Sequence, residues 1–124
     1  MKFSILISSF NKGKYLKKCL DSCLRQTEKN YEIILYDNNS TDKTSKILKK
    51  YKSKIKIFKK KRISTSPALN QIDLISNAFK KSKGSIICLL DADDFFKKKK
   101  LSIVKSIFIK NPKKNVLFDL PIEQ

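Results

Sequence analysis

Asp91, Asp93 and Asp94 follow the apolar run Ile86-Ile87-Cys88-Leu89-Leu90 and are the residues whose types and spacing could do chemistry. In extended backbone residues i and i+2 share a face, so Asp91 and Asp93 project together, their backbones roughly 7 Å apart. Two carboxylates at that spacing can share a hydrated hard cation. Mg²⁺ or Mn²⁺ prefers oxygen ligands, keeps several waters and takes the rest of its shell from substrate phosphates. The plainer alternative is a solvated strand-to-helix turn in which Asp93 or Asp94 caps the following helix.

The elements around this cluster set where it sits. Residues 3–8 form a short apolar strand, and 14–26 then carry Tyr15, Leu16, Cys19, Leu20, Cys23 and Leu24 on one helical face. Residues 31–36 are a second strand. The turn Asn38-Asn39-Ser40-Thr41-Asp42 leads into a helix over 42–51, with Ser40 or Thr41 as its N-cap and Ile47, Leu48 and Tyr51 inward. Residues 55–58 are a short third strand, and 59–67 a basic loop. A helix over 69–81 would turn Ile72, Ile75, Ala78 and Phe79 inward and stop at Gly84. Residues 85–90 are the fourth strand, 98–110 a helix with Leu101, Val104, Ile107 and Phe108 inward, and 116–118 the start of a fifth strand.

Strands alternating with helices predict an α/β fold: a three-layer αβα sandwich with a mainly parallel, Rossmann-like sheet. Ligands of such sheets bind beyond the carboxyl ends of the strands. Three polar clusters fall on that edge: Ser8-Ser9-Phe10-Asn11 after strand one, Asp37 to Asp42 after strand two, and Asp91 to Asp94 after strand four. Their convergence favours function over a chance solvated turn.

Composition bounds the rest. The 124 residues make one domain that buries roughly two thirds of its unfolded surface. The net charge of +18 suggests nucleic acid or an anionic membrane as partner. Yet only Arg25 and Arg62 of the 29 basic residues are arginine, the residue that base reading and bidentate phosphate gripping favour. Lysines spread along the whole chain, with abundant Ile, Asn and Phe, fit an A- and T-rich coding bias. Three cysteines without histidine speak against a disulfide framework or a zinc site and for a reducing compartment. Cys19, Cys23 and Cys88 read as small buried hydrophobes. Serines dilute the apolar start, and no stretch is long enough to span a bilayer, so the expectation is a cytoplasmic protein, in peripheral contact with the inner face of the membrane at most.

Taken in order, these segments resemble the nucleotide-sugar-binding half of family 2 glycosyltransferases, which have the A-type glycosyltransferase fold. Phe3-Ser4-Ile5-Leu6-Ile7-Ser8-Ser9-Phe10-Asn11 resembles the family's first strand and aromatic-Asn turn. Leu20 to Thr27 is similar to the end of its first helix, with the Ser-x-x-x-Gln pattern at Ser22 and Gln26. Glu32 to Asp42 resembles its acidic turn after strand two, and Asp91-Ala92-Asp93-Asp94 its Asp-x-Asp signature. The resemblance implies a nucleoside-diphosphate sugar, a UDP-sugar first, held by Ser9, Phe10, Asn11, Asp37, Asn39, Asp91, Ala92 and Asp93. Asp93, with Asp91, would ligate Mg²⁺ or Mn²⁺ to stabilise the departing nucleoside diphosphate. An inverting hexosyl transfer to a glycan or lipid-linked acceptor would follow.

Departures from the family are specific. Ser8 stands where proline is common and Asn39 where glycine is, although Asn tolerates left-handed backbone. Ile75-Ser76 occupies the place of an Arg-Asn pair, with Asn77 one residue late. Enzymes of this class draw a carboxylate base from an acceptor-binding half beyond the Asp-x-Asp motif. After that motif only Asp119 and Glu123 remain, so residues 1–124 are expected to be a donor domain lacking the acceptor half, its general base unknown and a complementing polypeptide among its partners. The competing expectation is a basic module that binds nucleic acid or anionic membrane without catalysis. Haloacid-type phosphatases also end a strand in Asp-x-Asp, but after their first strand and before Thr or Val, whereas here the motif comes fourth and precedes Phe95 and Phe96.

Overall fold

Seven consecutive residues of the first strand, Phe3–Ser9, are buried, as befits a strand flanked by neighbours on both edges and covered on both faces. The computed structural model describes residues 1–113, 115 and 117. Its element order is β1 (Phe3–Ser9), α1 (Gly13–Leu24), β2 (Tyr31–Asp37), α2 (Thr44–Leu48), β3 (Lys56–Lys59), α3 (Pro67–Lys81), β4 (Ile86–Asp91) and α4 (Lys100–Lys110). The sheet runs β3-β2-β1-β4, and every pairing is parallel.

Helices cover both faces, which gives the three layers expected. On one face Leu16, Cys19, Leu20 and Cys23 of α1, Leu48 of α2, and Leu101 and Val104 of α4 pack on Phe3, Ile5, Ile7, Ile33 and Leu35. On the other, Leu74 and Ala78 of α3 pack on Leu6, Ile34 and Tyr36. Each such leucine contributes roughly 1.5–3 kcal/mol by leaving water. The three cysteines are free and buried, as their apolar surroundings in the sequence predict.

Several expectations change in detail. The helix α3 is rotated from its predicted face: Asn70, Leu74 and Ala78 are buried, while Ile72 and Phe79 are exposed. It also begins earlier, with Pro67 in its first turn and the Ser66 hydroxyl accepting from Leu69 N at 3.3 Å. Tyr15 of α1 is exposed. The helix after the Asp37 turn is only five residues long, and the chain from 49 to 54 continues as turns.

Gly84 does not act as a left-handed stop, since no glycine has positive φ. A Cβ there would lie 2.5 Å from Ser4 Oγ and 2.7 Å from Ser4 N, so its role is a close approach to the start of β1. Of the predicted fifth strand, Val116 and Phe118 lie outside the described residues, as do Asp119 and Glu123.

Candidate functional site

The sheet register brings the three polar clusters together. Ser9, the last residue of β1, pairs with Asp37, the last of β2, and Ser8 pairs with Asp91, the last of β4. Beyond that edge the chain turns sharply twice through left-handed residues, Asn11 at φ 51° and Asn39 at φ 52°. Asparagine is among the few residues that tolerate this conformation, which is why Asn39 can stand where glycine is common.

Ser40 joins the two turns. Its hydroxyl accepts from Asn11 N at 2.9 Å and donates to Asp37 Oδ1 at 2.6 Å, while its own N–H donates to Asp37 Oδ2 at 2.8 Å. Asn11 Oδ1 in turn accepts from Thr41 N at 2.8 Å and Asp42 N at 3.3 Å. Asp42 accepts from Gly13 N at 2.9 Å and Thr44 N at 3.0 Å, capping the start of α1 and the entry to α2. The expected N-cap at Ser40 or Thr41 is therefore not formed: Lys43 occupies the N-cap position with no side-chain bond, and Ser40 is a crosslink.

This network decides what each residue can offer. Asp37 is fully buried, with both carboxylate oxygens engaged by Ser40, so its first task is to hold the turn. Ser9 and Thr44 carry buried hydroxyls without a hydrogen-bond partner among the described residues. Phe10 is half-buried at the rim, and the Arg62 guanidinium lies over its ring at 4.6 Å, a cation–π contact. The loop bearing Arg62 is strapped by Asn70, whose amide oxygen accepts from Ile63 N at 2.9 Å and whose amide N donates to Ser64 O at 2.8 Å. That task explains why an asparagine is buried on α3.

The carboxylates stand on a turn rather than on extended chain. Asp94 N donates to Asp91 O at 3.0 Å, closing a β-turn over 91–94, so the alternation argument that placed Asp91 and Asp93 on one strand face does not hold. Neither Asp93 nor Asp94 caps the next helix: α4 starts only at Lys100, with Lys99 as N-cap, and Asp94 Oδ1 accepts from Phe95 N at 2.8 Å. Asp91, Asp93 and Asp94 are exposed, and Ala92 is buried in the first core, where its methyl anchors the turn instead of lining the site.

Each would-be ligand has a partner from another element. Gln71 Nε2 of α3 donates to Asp91 Oδ1, and Lys12 Nζ lies 3.4 Å from Asp93 Oδ2. Partial burial, then the charges of Asp93 and Asp94, push the Asp91 carboxyl above its ordinary value against the pull of Gln71 and Lys12. Such crowding of negative charge is relieved by a cation. Among the described residues no three His, Cys, Asp or Glu side chains are grouped to hold a metal. Two exposed carboxylates fit Mg²⁺ or Mn²⁺ in the mode where water and substrate phosphates supply the remaining oxygens.

The Ser-x-x-x-Gln pattern at the end of α1 acquires a physical reason. Ser22 Oγ accepts from Phe96 N at 3.0 Å, Gln26 Nε2 donates to Lys97 O at 2.7 Å, and Gln26 Oε1 accepts from Leu101 N at 3.0 Å. Gln26 is fully buried. These two side chains clamp the segment that leaves the carboxylate turn, and Cys19 Sγ adds a contact to Asp91 O at 3.6 Å.

All eight candidate residues, Ser9, Phe10, Asn11, Asp37, Asn39, Asp91, Ala92 and Asp93, thus lie at or beside one sheet edge. Sequence reasoning missed Lys12, Arg62 and Gln71. Arg62 carried a signal, being one of two arginines among so many lysines; Lys12 and Gln71 carried none. Asn77, one place late for the family's Arg-Asn pair, donates to Asp73 O at 2.8 Å and stays within its own helix.

Known proteins match this arrangement. A sequence model of glycosyl transferase family 2 matches residues 4–123. An uncharacterized glycosyltransferase of Rickettsia typhi is 34% identical over 114 residues, covering 92% of this chain and 34% of the relative. The poly(ribitol-phosphate) β-N-acetylglucosaminyltransferase TarS of Staphylococcus aureus is 30% identical over 105 residues, covering 82% of this chain and 18% of TarS. The crystal structure of S. aureus TarS 1–349 superposes with a TM-score of 0.78 at 25% identity, over 100% of this chain and 39% of that one. TarS 1–349 has also been solved in complex with UDP-GlcNAc. The chain spans about a third of the length of the first relative and less than a fifth of the second.

Proposed function

The chain belongs to glycosyl transferase family 2, and on that premise we propose that its carboxyl-edge site binds a nucleoside-diphosphate sugar, a UDP-sugar first, together with Mg²⁺ or Mn²⁺. The observation that carries this reading is the register, which aligns the ends of β1, β2 and β4 so that the Asn11 turn, the Asp37 turn and the Asp91–Asp93 carboxylates share one edge. The solved complex of TarS with UDP-GlcNAc supports the choice of nucleotide.

In this reading Phe10 offers its ring to the base, with the Arg62 guanidinium beside it. Ser9, Asn11, Asp37 and Asn39 shape the pocket for base and ribose. Asp93 and Asp91 would hold the metal, which when bound supplies charge neutralisation on the departing diphosphate. Lys12, now against Asp93, stands where its ammonium can turn to a phosphate. The reaction would be an inverting hexosyl transfer to a glycan or lipid-linked acceptor, and a lipid-linked acceptor would bring the chain to a membrane. The hydroxyl-activating base and the acceptor contacts are assigned to polypeptide beyond the donor domain, continuous with it or supplied separately.

Calorimetry with UDP and Mn²⁺ tests the site. Metal-dependent binding that Asp93→Ala abolishes is expected; binding indifferent both to metal and to that change would sink the assignment. Sugar transfer by residues 1–124 alone would overturn the placement of the base elsewhere.

A further inference from the structure

The polar face of α1 and the 95–98 loop enclose an open groove of about 660 Å³ whose lining includes Lys14, Lys17, Lys18, Arg25 and Lys98. Five cations face one carboxylate there, Asp21. That carboxylate is occupied: Asp21 Oδ2 pairs with Lys17 at 2.6 Å and with Arg25 at 4.0 Å, and Oδ1 accepts from the Tyr51 hydroxyl at 2.7 Å. Among the described residues Lys14, Lys18 and Lys98 make no ion pair, so the groove keeps an uncompensated positive field.

Between the ammonium groups lie aromatic rings. Phe95, 43% exposed, and Phe96 both line the groove. Lys18 Nζ sits 4.0 Å from the centre of the Phe95 ring. Exposed aromatic rings among lysines are the composition of a membrane interface, where the rings enter the headgroup layer and lysine stems lie along it.

The groove has little to read with. The Ser22 hydroxyl donates to Cys19 O at 2.6 Å and accepts from Phe96 N, which leaves it no free hydrogen. With Asp21 also engaged, charge and apolar contact remain as the means of recognition. Nucleic acid would be gripped better by arginine, and the only arginine of the groove lies beside Asp21.

We propose that the face formed by α1 and the 95–98 loop docks the protein on a bilayer surface of anionic phospholipid. Phe95 directly follows Asp94, so docking there would set the carboxylate turn next to the lipid surface. This inference does not depend on the donor reading, because none of the groove residues belongs to the donor site.

Sedimentation with phosphatidylglycerol-containing vesicles at about 0.1 M salt tests it. The combined change Lys14→Gln, Lys18→Gln and Lys98→Gln should weaken binding about a hundredfold, from the attraction of each lysine to an anionic surface. The same neutralisation at Lys49, Lys50 and Lys52, exposed but outside the groove, should weaken it less than about fivefold. Phe95→Ser, which leaves charge untouched, should weaken it severalfold, with thermal melting of each variant confirming the fold. Equal losses from the two lysine sets, no effect of Phe95→Ser, or equal binding to neutral phosphatidylcholine vesicles would each overturn the proposal. So would retention of double-stranded DNA that is tighter than vesicle binding and lost with the same three lysines.

Discussion

Replacing Gln26 with leucine isolates what the clamp under the carboxylate turn contributes. The side chain is fully buried and makes three hydrogen bonds: to Lys97 O at 2.7 Å, to Ser22 O at 3.1 Å and from Leu101 N at 3.0 Å. The Leu101 N–H is buried and would be left without its acceptor, while Ser22 O and Lys97 O, both part-buried, would each lose a donor. An unsatisfied buried polar group costs about 1–3 kcal/mol, so the three losses together cost roughly 3 kcal/mol after the apolar gain of leucine is allowed for. Against a domain stability of about 5–15 kcal/mol that is a large loss which should still leave a folded protein. With a urea slope of about 1.5 kcal/mol/M, the unfolding midpoint should fall by about 2 M. Metal-dependent UDP binding should weaken in the same variant under native conditions, because the segment leaving Asp91–Asp94 is no longer pinned. A midpoint shift below about 0.3 M would refute the reasoning, since it would mean that the clamp satisfies nothing that water cannot.

Two further perturbations act at the opposite edge of the sheet. Burial alone would raise the Glu32 carboxyl, but hydrogen bonds from the Ser4 hydroxyl, Lys83 N–H and the Lys56 ammonium, with the charge of Lys56, hold it down at about 2 against an ordinary 4.5. A depressed carboxylate stabilises the fold fully above pH 4.5 and loses that contribution as pH falls toward 2; the total is about 3 kcal/mol, of which about 2 should be gone at pH 3. Urea unfolding at pH 7 and pH 3 should show that drop in the native sequence and a smaller one in Glu32→Gln; equal drops would remove Glu32 from the account. Gly84→Ala places a methyl 2.5 Å from Ser4 Oγ and 2.7 Å from Ser4 N, where the backbone of β1 cannot easily give way. A loss of about 1–3 kcal/mol is expected in the same assay, and a neutral or stabilising result would show that the approach is looser than it looks.

What the sequence disclosed followed from how local each signal is. Continuous apolar runs and helical stripes placed all eight elements, because strands buried on both faces and amphipathic helices write their environment into every residue. The face of α3 did not follow: its apolar arc is wide, running from Leu74 and Ala78 round to Ile72 and Phe79, and the packed side lies at one end of that arc, with Asn70 buried and Ile72 and Phe79 exposed, so periodicity alone could not pick it. Gly84 was legible as a special position but not for the right reason, since a close approach depends on a strand eighty residues away in the chain. The same holds for Lys12, Arg62 and Gln71, whose places at the site are set by where their loops and helix come to rest.

Seven of the candidate residues, all but Ser9, divide with Ser40 into builders and presenters, and the division explains why the motif reads clearly while its chemistry does not. Asn11, Asp37 and Ser40 satisfy one another across the β1 and β2 turns, and Asn39 supplies the left-handed bend that lets them meet. Ala92 fills the core beneath the carboxylates. Builders need one residue type at one spacing, so they leave a strong pattern. Asp91, Asp93 and the ring of Phe10 face outward, each against a partner that a ligand could replace: Gln71, Lys12 and Arg62. Such contacts are exposed and exchangeable, since an ion pair in water is worth about 1 kcal/mol or less and yields readily to a divalent cation or a diphosphate. The edge is therefore rigid where it must hold a shape and loosely held where it must take a ligand. That is the physical condition the proposed donor site requires, since a ligand can then enter without rebuilding the sheet.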